Sequence, residues 1–320
     1  MLIVQKFGGS SLADISGLRR AAEIILSAVE KGYKVAAVVS AMGDCTDELS
    51  ELAHRISPRP PERELDALLG TGEMQSAALL SIMLNHLGHN ALSFSAAQAG
   101  IYTTDRHGDA EIRNIKPGRI SSALTSGCIA VIAGFQGIGP DGSLTTLGRG
   151  GSDTSAVALA AALGAERCEI YKDVDGIYTA DPMLAGDARL LSQIDFQDMH
   201  TLSLCGSQVL HSRSVFTAMT EGLPMLVLNS FKKGEGTKVC PLSMEERPDF
   251  AGITRNKAEN SMSLVGKAAD EQNLGRLCRL LSNHGIDILS ARLDEGCITL
   301  HLPADKLKKA LQLAHTEFLA

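Results

Sequence analysis

The sequence TTLGRGGSD at residues 145–153 is followed by TSAVALAAALGA at residues 154–165. The second part is rich in alanine and nearly free of charge, which predicts a helix over residues 154–163 that is buried on most sides. The first part places glycines, an arginine, a hydroxyl and a carboxylate at the N-terminus of this helix, where unpaired N–H groups favour anions. Two interpretations follow: Asp153 or Ser152 is only an N-cap and Arg149 a surface charge, or these side chains line a ligand site.

A second glycine pair follows the first strand, where KF at residues 6–7 leads into GGSS at residues 8–11 and then into a helix. Adjacent glycines let phosphate oxygens approach the backbone, although glycines at a strand end also make ordinary turns. Lys6 favours the phosphate interpretation, because a lysine beside such a loop neutralises the transferred group. Both glycine pairs are predicted at the carboxyl edge of one parallel sheet, where such sheets bind ligands.

Strand patterns and helix patterns alternate along the chain, which predicts an α/β fold with a mainly parallel sheet. The predicted strands span residues 2–7, 35–39, 130–135, 168–171 and 225–228. The stretch 232–248 is charged, contains glycines and prolines, shows no apolar period, and is therefore placed at a domain boundary. The β-α-β-β-α order that follows, with strands at 263–265, 286–289 and 297–302 and the last helix at 307–318, is most of a ferredoxin-like unit. The predicted domains are residues 1–240 and 250–320.

Composition limits the classes of function. A net charge of −7 argues against nucleic acid as the partner, because phosphate-backbone binding needs a clustered positive surface. Seven scattered cysteines without a C-x-x-C pair are typical of reduced thiols in a cytoplasmic protein, and they support neither a disulfide framework nor a zinc site. No secretory signal pattern is present at the N-terminus, and the apolar runs are shorter than the roughly 20 residues of a membrane span, so we expect no membrane partner.

Eight segments, in order along residues 2–240, together resemble the aspartate kinases. They are KFGGSS (6–11), VVSAM (38–42), TGE (71–73), QAGI (98–101), GFQG (134–137), the TTLGRGGSD block with its helix, DVDGIYTADP (173–182) and VLHSRSV (209–215). The resemblance implies the three-layer α-β-α amino-acid kinase fold, followed by a small ferredoxin-like (ACT-like) α+β domain at the C-terminus. It also implies phosphoryl transfer from ATP to the side-chain carboxylate of aspartate, the first step of the biosynthesis of aspartate-derived amino acids such as lysine and threonine.

The resemblance also assigns site residues. The implied catalytic residues are Lys6, Gly8, Gly9 and Asp153, with Asp153 orienting the lysine. Aspartate is expected to contact Ser40, Thr46, Glu73, Arg149, Gly150 and Ser152, where Arg149 would hold its α-carboxylate and Glu73 its ammonium group. ATP is expected to contact Lys6, Gly9, Ser10, Lys172, Asp173, Tyr178, Asp181, Pro182 and Gln208. No protein metal ligand is expected, since Mg²⁺ would be held mainly through the phosphates.

Several features depart from the family pattern. Lys172 replaces the usual threonine before Asp-Val-Asp-Gly, Met183 replaces a basic residue after Asp-Pro, and Gln208 replaces a lysine. Residues 261–319 resemble the second of two ACT modules, so we expect weak or absent feedback inhibition and a homodimer formed through this module. Two alternatives remain open: a catalytically reduced relative that binds amino acids or nucleotides and regulates a partner, or a kinase for a related carboxylate.

Overall fold

The computed structural model describes residues 1–319, which divide into two compact units. Unit 1 comprises Met1–Val174 and Leu223–Gly234, and unit 2 comprises Asp175–Gly222 together with the chain from residue 235 onward. This division follows internal contacts and groups residues 175–222 with the C-terminal region. The domain limits at 240 and 250 stay a prediction.

The regular elements alternate as the sequence predicts. The strands are β1 (Leu2–Phe7), β2 (Lys34–Val39), β3 (Ala91–Phe94), β4 (Ile101–Thr103), β5 (Ile112–Ile115), β6 (Ile129–Ala133), β7 (Gln136–Ile138), β8 (Leu144–Thr146), β9 (Cys168–Lys172), β10 (Gln193–Asp195), β11 (Met225–Asn229), β12 (Thr237–Cys240), β13 (Gly252–Asn256), β14 (Ser261–Val265), β15 (Ser290–Asp294) and β16 (Cys297–His301). The helices are α1 (Ile15–Glu30), α2 (Cys45–Ile56), α3 (Glu62–His86), α4 (Ala96–Ala99), α5 (Gly118–Thr125), α6 (Gly151–Ala162), α7 (Phe196–Leu204), α8 (Ser212–Glu221), α9 (Glu271–Asn283) and α10 (Leu307–Phe318).

Unit 1 has three layers around a parallel sheet whose strands run in the order β11-β9-β1-β2-β6-β3. Side chains alternate across a strand, so Ile3 and Phe7 lie on the face that packs against α1 and α3. The opposite face is covered by α5 and α6. A small second sheet of order β5-β4-β7-β8 completes the unit. The predicted three-layer α/β architecture with a mainly parallel sheet is confirmed.

Two boundaries in the predicted pattern were wrong. Helix α6 begins at Gly151, three residues before the predicted start at 154. The strand predicted over 130–135 ends at Ala133, because Phe135 has a φ of +67°, which is incompatible with an extended strand. The charged stretch 232–248 contains strand β12, whose Val239 is fully buried, so this stretch is not entirely a linker.

The C-terminal part of unit 2 is an antiparallel sheet of order β13-β14-β16-β15 with helices α9 and α10. The predicted β-α-β-β-α order is present, and β13 adds a strand that the sequence did not predict. The strand predicted at 286–289 was wrong. Ile286 is buried and Ile288 packs on the core, so this run is a loop that adds two side chains to the core, whereas Leu289 is exposed. The pairing strand β15 is mostly exposed and lacks a clear apolar period.

Helix α3 is long and apolar enough, by length and composition alone, to cross a membrane, which the sequence did not predict. Half of its most apolar window is buried inside the protein. The helix packs against α1, α2 and strands of unit 1, and it buries the carboxyl groups of Asp66 and Glu73. These contacts are typical of the core helix of a globular protein.

Candidate active site

Lys6 and Asp153 form a buried ion pair in unit 1. Lys6 lies near the end of β1 on the face opposite Ile3 and Phe7, which is the face that α6 covers. Asp153 is the third residue of α6, so its carboxylate sits in the first turn of that helix. The Lys6 Nζ to Asp153 Oδ1 distance is 2.6 Å. The alternation of β1 and the start of α6 therefore bring the two residues together across 147 positions of sequence.

Lys172 binds the other oxygen of the same carboxylate. Strand β9 runs parallel to β1 with Phe7 opposite Tyr171, so Lys172 is at the tip of the neighbouring strand. Its Nζ lies 3.0 Å from Asp153 Oδ2. Two lysine side chains thus share one carboxylate, and the group carries one positive charge more than it carries negative charge when all three are ionised.

Burial and charge act in opposite directions on this group. Burial would raise the pKa of Asp153, but Lys6 and Lys172 lower it to about 2, so the carboxylate is ionised at neutral pH. Burial lowers the pKa of Lys6; Asp153 opposes this shift and the charge of Lys172 adds to it. The Lys6 and Asp153 side chains are 7% and 4% exposed, so their pairing is hardly screened by water.

The glycine pair after β1 is closely packed on one side. A Cβ on Gly9 would lie 2.8 Å from the carbonyl oxygen of Ala41, so the position excludes every side chain. Gly43 N–H donates to the Gly9 carbonyl at 3.0 Å, which fixes the turn against the segment after β2. A Cβ on Gly8 would lie 3.7 Å from Lys6 Nζ, so the Gly8 backbone borders the lysine charge. Ser10 is exposed in the short 3₁₀ turn Ser10–Leu12 that follows.

Glu73 is a buried carboxyl group on α3, and only one of its two oxygens has a hydrogen-bond partner within the described residues. Its Oε1 accepts a hydrogen bond from the Ala41 N–H at 3.0 Å, whereas Oε2 finds no partner among the described residues. Burial raises the pKa of Glu73 to about 7, and the Ala41 N–H and the charge of Lys6 oppose this rise. Because an unpaired buried oxygen is costly, Glu73 is suited to accept a hydrogen bond from a bound ligand. Ser40, next to Ala41, and Thr46, on α2, are both half-buried.

The loop before α6 presents Arg149 to solvent. Arg149 is exposed and forms no ion pair with an acidic residue within the described chain, 1–319. Gly150 has a φ of +70° and forms the N-cap of α6, a left-handed conformation that glycine adopts without strain. Ser152 is nearly buried, and a Cβ on Gly134 would lie 3.0 Å from Ser152 Cβ, so only glycine lets the helix approach β6 this closely.

Asp66 is a buried structural support that the sequence did not indicate. Its Oδ1 accepts from Thr146 Oγ1 at 2.6 Å, and its Oδ2 accepts from Thr146 N at 3.0 Å and from Gly108 N at 3.0 Å. His107 Nδ1 lies 2.8 Å from Asp66 Oδ2. Asp66 therefore fixes the end of β8, immediately before the Arg149 loop. The available signal was an acidic residue inside the apolar run LDALL at 65–69.

The predicted nucleotide residues fall in both units. Lys6, Gly9, Ser10, Lys172 and Asp173 belong to unit 1, where Asp173 is exposed directly after β9; Tyr178, Asp181, Pro182 and Gln208 belong to unit 2. In unit 2, Tyr178 OH lies 3.2 Å from Asp175 Oδ2, and Asp181 Oδ1 accepts from the Met183 N–H at 2.9 Å. Pro182 and Gln208 are exposed. Their role in binding ATP stays a prediction.

Comparisons with known proteins identify the family. Residues 1–229 match the sequence model of the amino acid kinase family. The aspartokinase of Thermus thermophilus is 45% identical over 287 residues, which are 90% of this chain and 71% of that protein. The chain is an aspartokinase of the amino acid kinase family. The aspartokinase of Mycobacterium tuberculosis is 46% identical over 270 residues, which cover 83% of this aspartokinase and 64% of that one.

A solved structure supports the fold over the full length. Escherichia coli aspartokinase III in complex with aspartate and ADP matches this aspartokinase with a TM-score of 0.86, and the match covers 100% of both chains at 20% identity. In the sequence comparisons, the chain spans 71% of its Thermus relative and 64% of its Mycobacterium relative. The predicted family is confirmed.

Proposed function

We propose that this chain transfers the terminal phosphoryl group of ATP to the side-chain carboxylate of free aspartate, forming 4-phospho-aspartate and ADP. The observation that carries the proposal is that the side chains of Lys6 and Lys172 share the Asp153 carboxylate beside the Gly8–Gly9 turn, in a chain that belongs to the aspartokinases. The Thermus and Mycobacterium relatives are named aspartokinases, and the Escherichia coli structure contains aspartate and ADP.

The chemistry requires no general base. A free aspartate side chain has a pKa of about 3.9, so the attacking carboxylate is already ionised at neutral pH. The main obstacle is repulsion between this carboxylate and the phosphates of ATP, and positive charge held in place before the reaction lowers it. We assign this role to Lys6 and Lys172, with Asp153 as the positioning residue that holds both ammonium groups.

Substrate selection rests on the two ends of the amino acid. The exposed guanidinium of Arg149 suits a two-pronged contact with the α-carboxylate. The unpaired Oε2 of Glu73 suits the ammonium group, and binding of this cation would favour the ionised form of Glu73. Ser40, Thr46, Gly150 and Ser152 are proposed to complete the aspartate site.

Mg²⁺ is proposed as the cofactor that accompanies ATP. No group of three or more His, Cys, Asp or Glu side chains in residues 1–319 has the arrangement of a metal site, so Mg²⁺ would take its ligands mainly from phosphate oxygens and water. When bound, Mg²⁺ neutralises phosphate charge. We further propose a cytoplasmic protein and a homodimer that forms through the antiparallel sheet of unit 2.

Hydroxylamine trapping tests the proposal. Purified protein is incubated with Mg-ATP, hydroxylamine and either aspartate, glutamate or no acid, and the hydroxamate formed from the acyl phosphate is measured by its ferric colour. We expect colour that depends on both ATP and aspartate, and a loss of roughly 100- to 1,000-fold in Lys6→Met. Colour with another acid only would mean a different acceptor, and no colour with any acid would favour a regulatory binding protein.

A further inference from the structure

Cys205 and Cys297 face each other inside unit 2, although they are 92 residues apart in sequence. Their sulfur atoms are 3.7 Å apart. Cys205 follows the last residue of α7, and Cys297 is the first residue of β16, a central strand of the antiparallel sheet. Cys205 is half-buried, whereas Cys297 is 3% exposed. Cys205 is therefore the more accessible residue of the pair.

The surroundings divide the roles between the two thiols. A hydrogen bond from Cys297 lowers the pKa of Cys205 to about 7; burial opposes this shift, Ser263 and Arg292 add to it, and Asp294 opposes it. The same contact and burial raise the pKa of Cys297. Cys205 is the more exposed of the two thiols and has the lower pKa, so we take its thiolate as the nucleophile and Cys297 as the second thiol.

Geometry also suits a covalent bond between the two sulfurs. A disulfide has an S–S length of about 2.05 Å, so the two sulfurs, now 3.7 Å apart, must approach by roughly 1.7 Å for the bond to form. Cys205 and Cys297 belong to unit 2, whereas Lys6, Asp153 and Lys172 belong to unit 1. Neither cysteine is among the residues to which a role in phosphoryl transfer is assigned above.

We propose that Cys205 and Cys297 are a peroxide-sensitive thiol pair that forms a reversible intrachain disulfide. The Cys205 thiolate attacks one oxygen of hydrogen peroxide, the O–O bond breaks, and the products are Cys205 sulfenic acid and, after protonation, water. Once Cys205 is a neutral sulfenic acid, its thiolate charge no longer holds the proton on Cys297. The Cys297 sulfur loses this proton and attacks the sulfenic sulfur, the S–O bond breaks, and the departing hydroxide takes the proton to give a second water as the S–S bond forms. Two thiols are oxidised and one peroxide is reduced to two waters.

The bond would fasten the segment after α7 to the sheet. Gly206 follows Cys205 with a φ of +115°, and a Cβ there would lie 2.6 Å from the Arg255 carbonyl oxygen, so this segment already packs tightly on β13. Residues 206–211 then lead to α8 and include Gln208, the predicted nucleotide contact. Oxidation is thus expected to reduce the backbone motion of residues 206–211.

Peptide mapping tests the proposal without any measurement of kinase activity. The reduced protein is treated with hydrogen peroxide, alkylated with N-ethylmaleimide under denaturing conditions, digested without reductant and analysed by mass spectrometry. We expect a cross-linked peptide containing Cys205 and Cys297, a loss of two of the seven free thiols, and full recovery after dithiothreitol. Both thiols still free, Cys205 as a sulfinic acid without the cross-link, or a bond between two chains would each overturn the proposal.

Variants and hydrogen exchange sharpen the result. Cys205→Ser and Cys297→Ser are expected to abolish the cross-link, while Cys278→Ser on α9, a half-buried thiol, serves as the matched control and keeps it. If either variant fails to fold, the wild-type peptide map decides alone. Amide exchange at residues 206–211 is expected to slow in the oxidised protein, and unchanged exchange there would contradict the mechanical consequence of the bond.

Discussion

Removing the charge of Lys172 is the most informative test of the paired-lysine arrangement. Lys172→Met keeps the side-chain length and most of the packing but removes the ammonium group that lies 3.0 Å from Asp153. The hydrogen bond that we propose Lys172 donates to a phosphate of bound ATP is charge-assisted, and a bond of this kind contributes about 1.5 to 3 kcal/mol. Because the Lys172 side chain is 19% exposed, water screens it in part, and we expect the lower end of this range. Since about 1.4 kcal/mol corresponds to a factor of ten, we expect KM for ATP to rise roughly tenfold in Lys172→Met.

The assay is steady-state coupling of ADP release to NADH oxidation with ATP varied at saturating aspartate. KM for aspartate and the thermal midpoint are expected to change little, since Lys6 still pairs with Asp153 at 2.6 Å. Lys172→Arg is the charge-preserving variant, and Lys31→Met, at an exposed position after α1, is the matched control. A KM for ATP within twofold of wild type in Lys172→Met would refute the idea that the second lysine serves the phosphates.

Five further outcomes are expected. If Glu73 binds the substrate ammonium group, kcat/KM for aspartate should rise by up to about tenfold between pH 6 and pH 8. The reason is that the pKa of Glu73 is about 7 and only its ionised form binds the cation. Glu73→Gln should flatten this rise. The same raised pKa means that the folded state holds the Glu73 proton more tightly than the unfolded chain does. The contribution of Glu73 to the free energy of unfolding therefore falls as pH rises from about 4.3 to 7, and urea unfolding at several pH values measures this fall. Gln208→Lys should lower KM for ATP, and an unchanged or higher value would count against a phosphate contact there. Equilibrium dialysis should detect no tight binding of lysine or threonine, because the described residues 252–319 form a single antiparallel module; tight binding coupled to inhibition would contradict this. Arg247→Met should lower the free energy of unfolding by about 3 kcal/mol, because it leaves the buried Asp198 carboxylate, 2.6 Å from Arg247, without its cation, whereas Arg292→Met at an exposed pair should change little.

Many of the helices and strands were predictable because their patterns are local. The strand at Leu2–Phe7 and the helix at Leu307–Phe318 have the bounds that the sequence predicts. Continuous apolar runs in the buried strands and glycines at helix ends carry this information within a few residues. The wrongly predicted strand at 286–289 shows the limit of local patterns. Ile286 is buried in the core although it lies in a loop, and without the tertiary fold an apolar run in a loop cannot be told from one in a strand.

The candidate site was predictable only as a set of residues. Lys6, Glu73, Arg149 and Asp153 were recognised through segments that resemble a known family, and no single residue of this set indicates its own partner. The contact between Lys172 and Asp153 was not predicted, since it depends on the parallel register of β9 with β1. Asp66 was missed because its partners Gly108 and Thr146 lie 42 and 80 residues away.

The sequence by itself determined the α/β class, the two glycine turns after strands and the family, because each depends on short segments whose residues act on their immediate neighbours. Tertiary structure alone decided which charges meet. It placed two lysines on one carboxylate and left one oxygen of Glu73 without a partner within the described chain. It also brought Cys205 to 3.7 Å from Cys297. The physical reason is that burial and side-chain distance depend on strand register and helix packing, which join residues far apart in the chain.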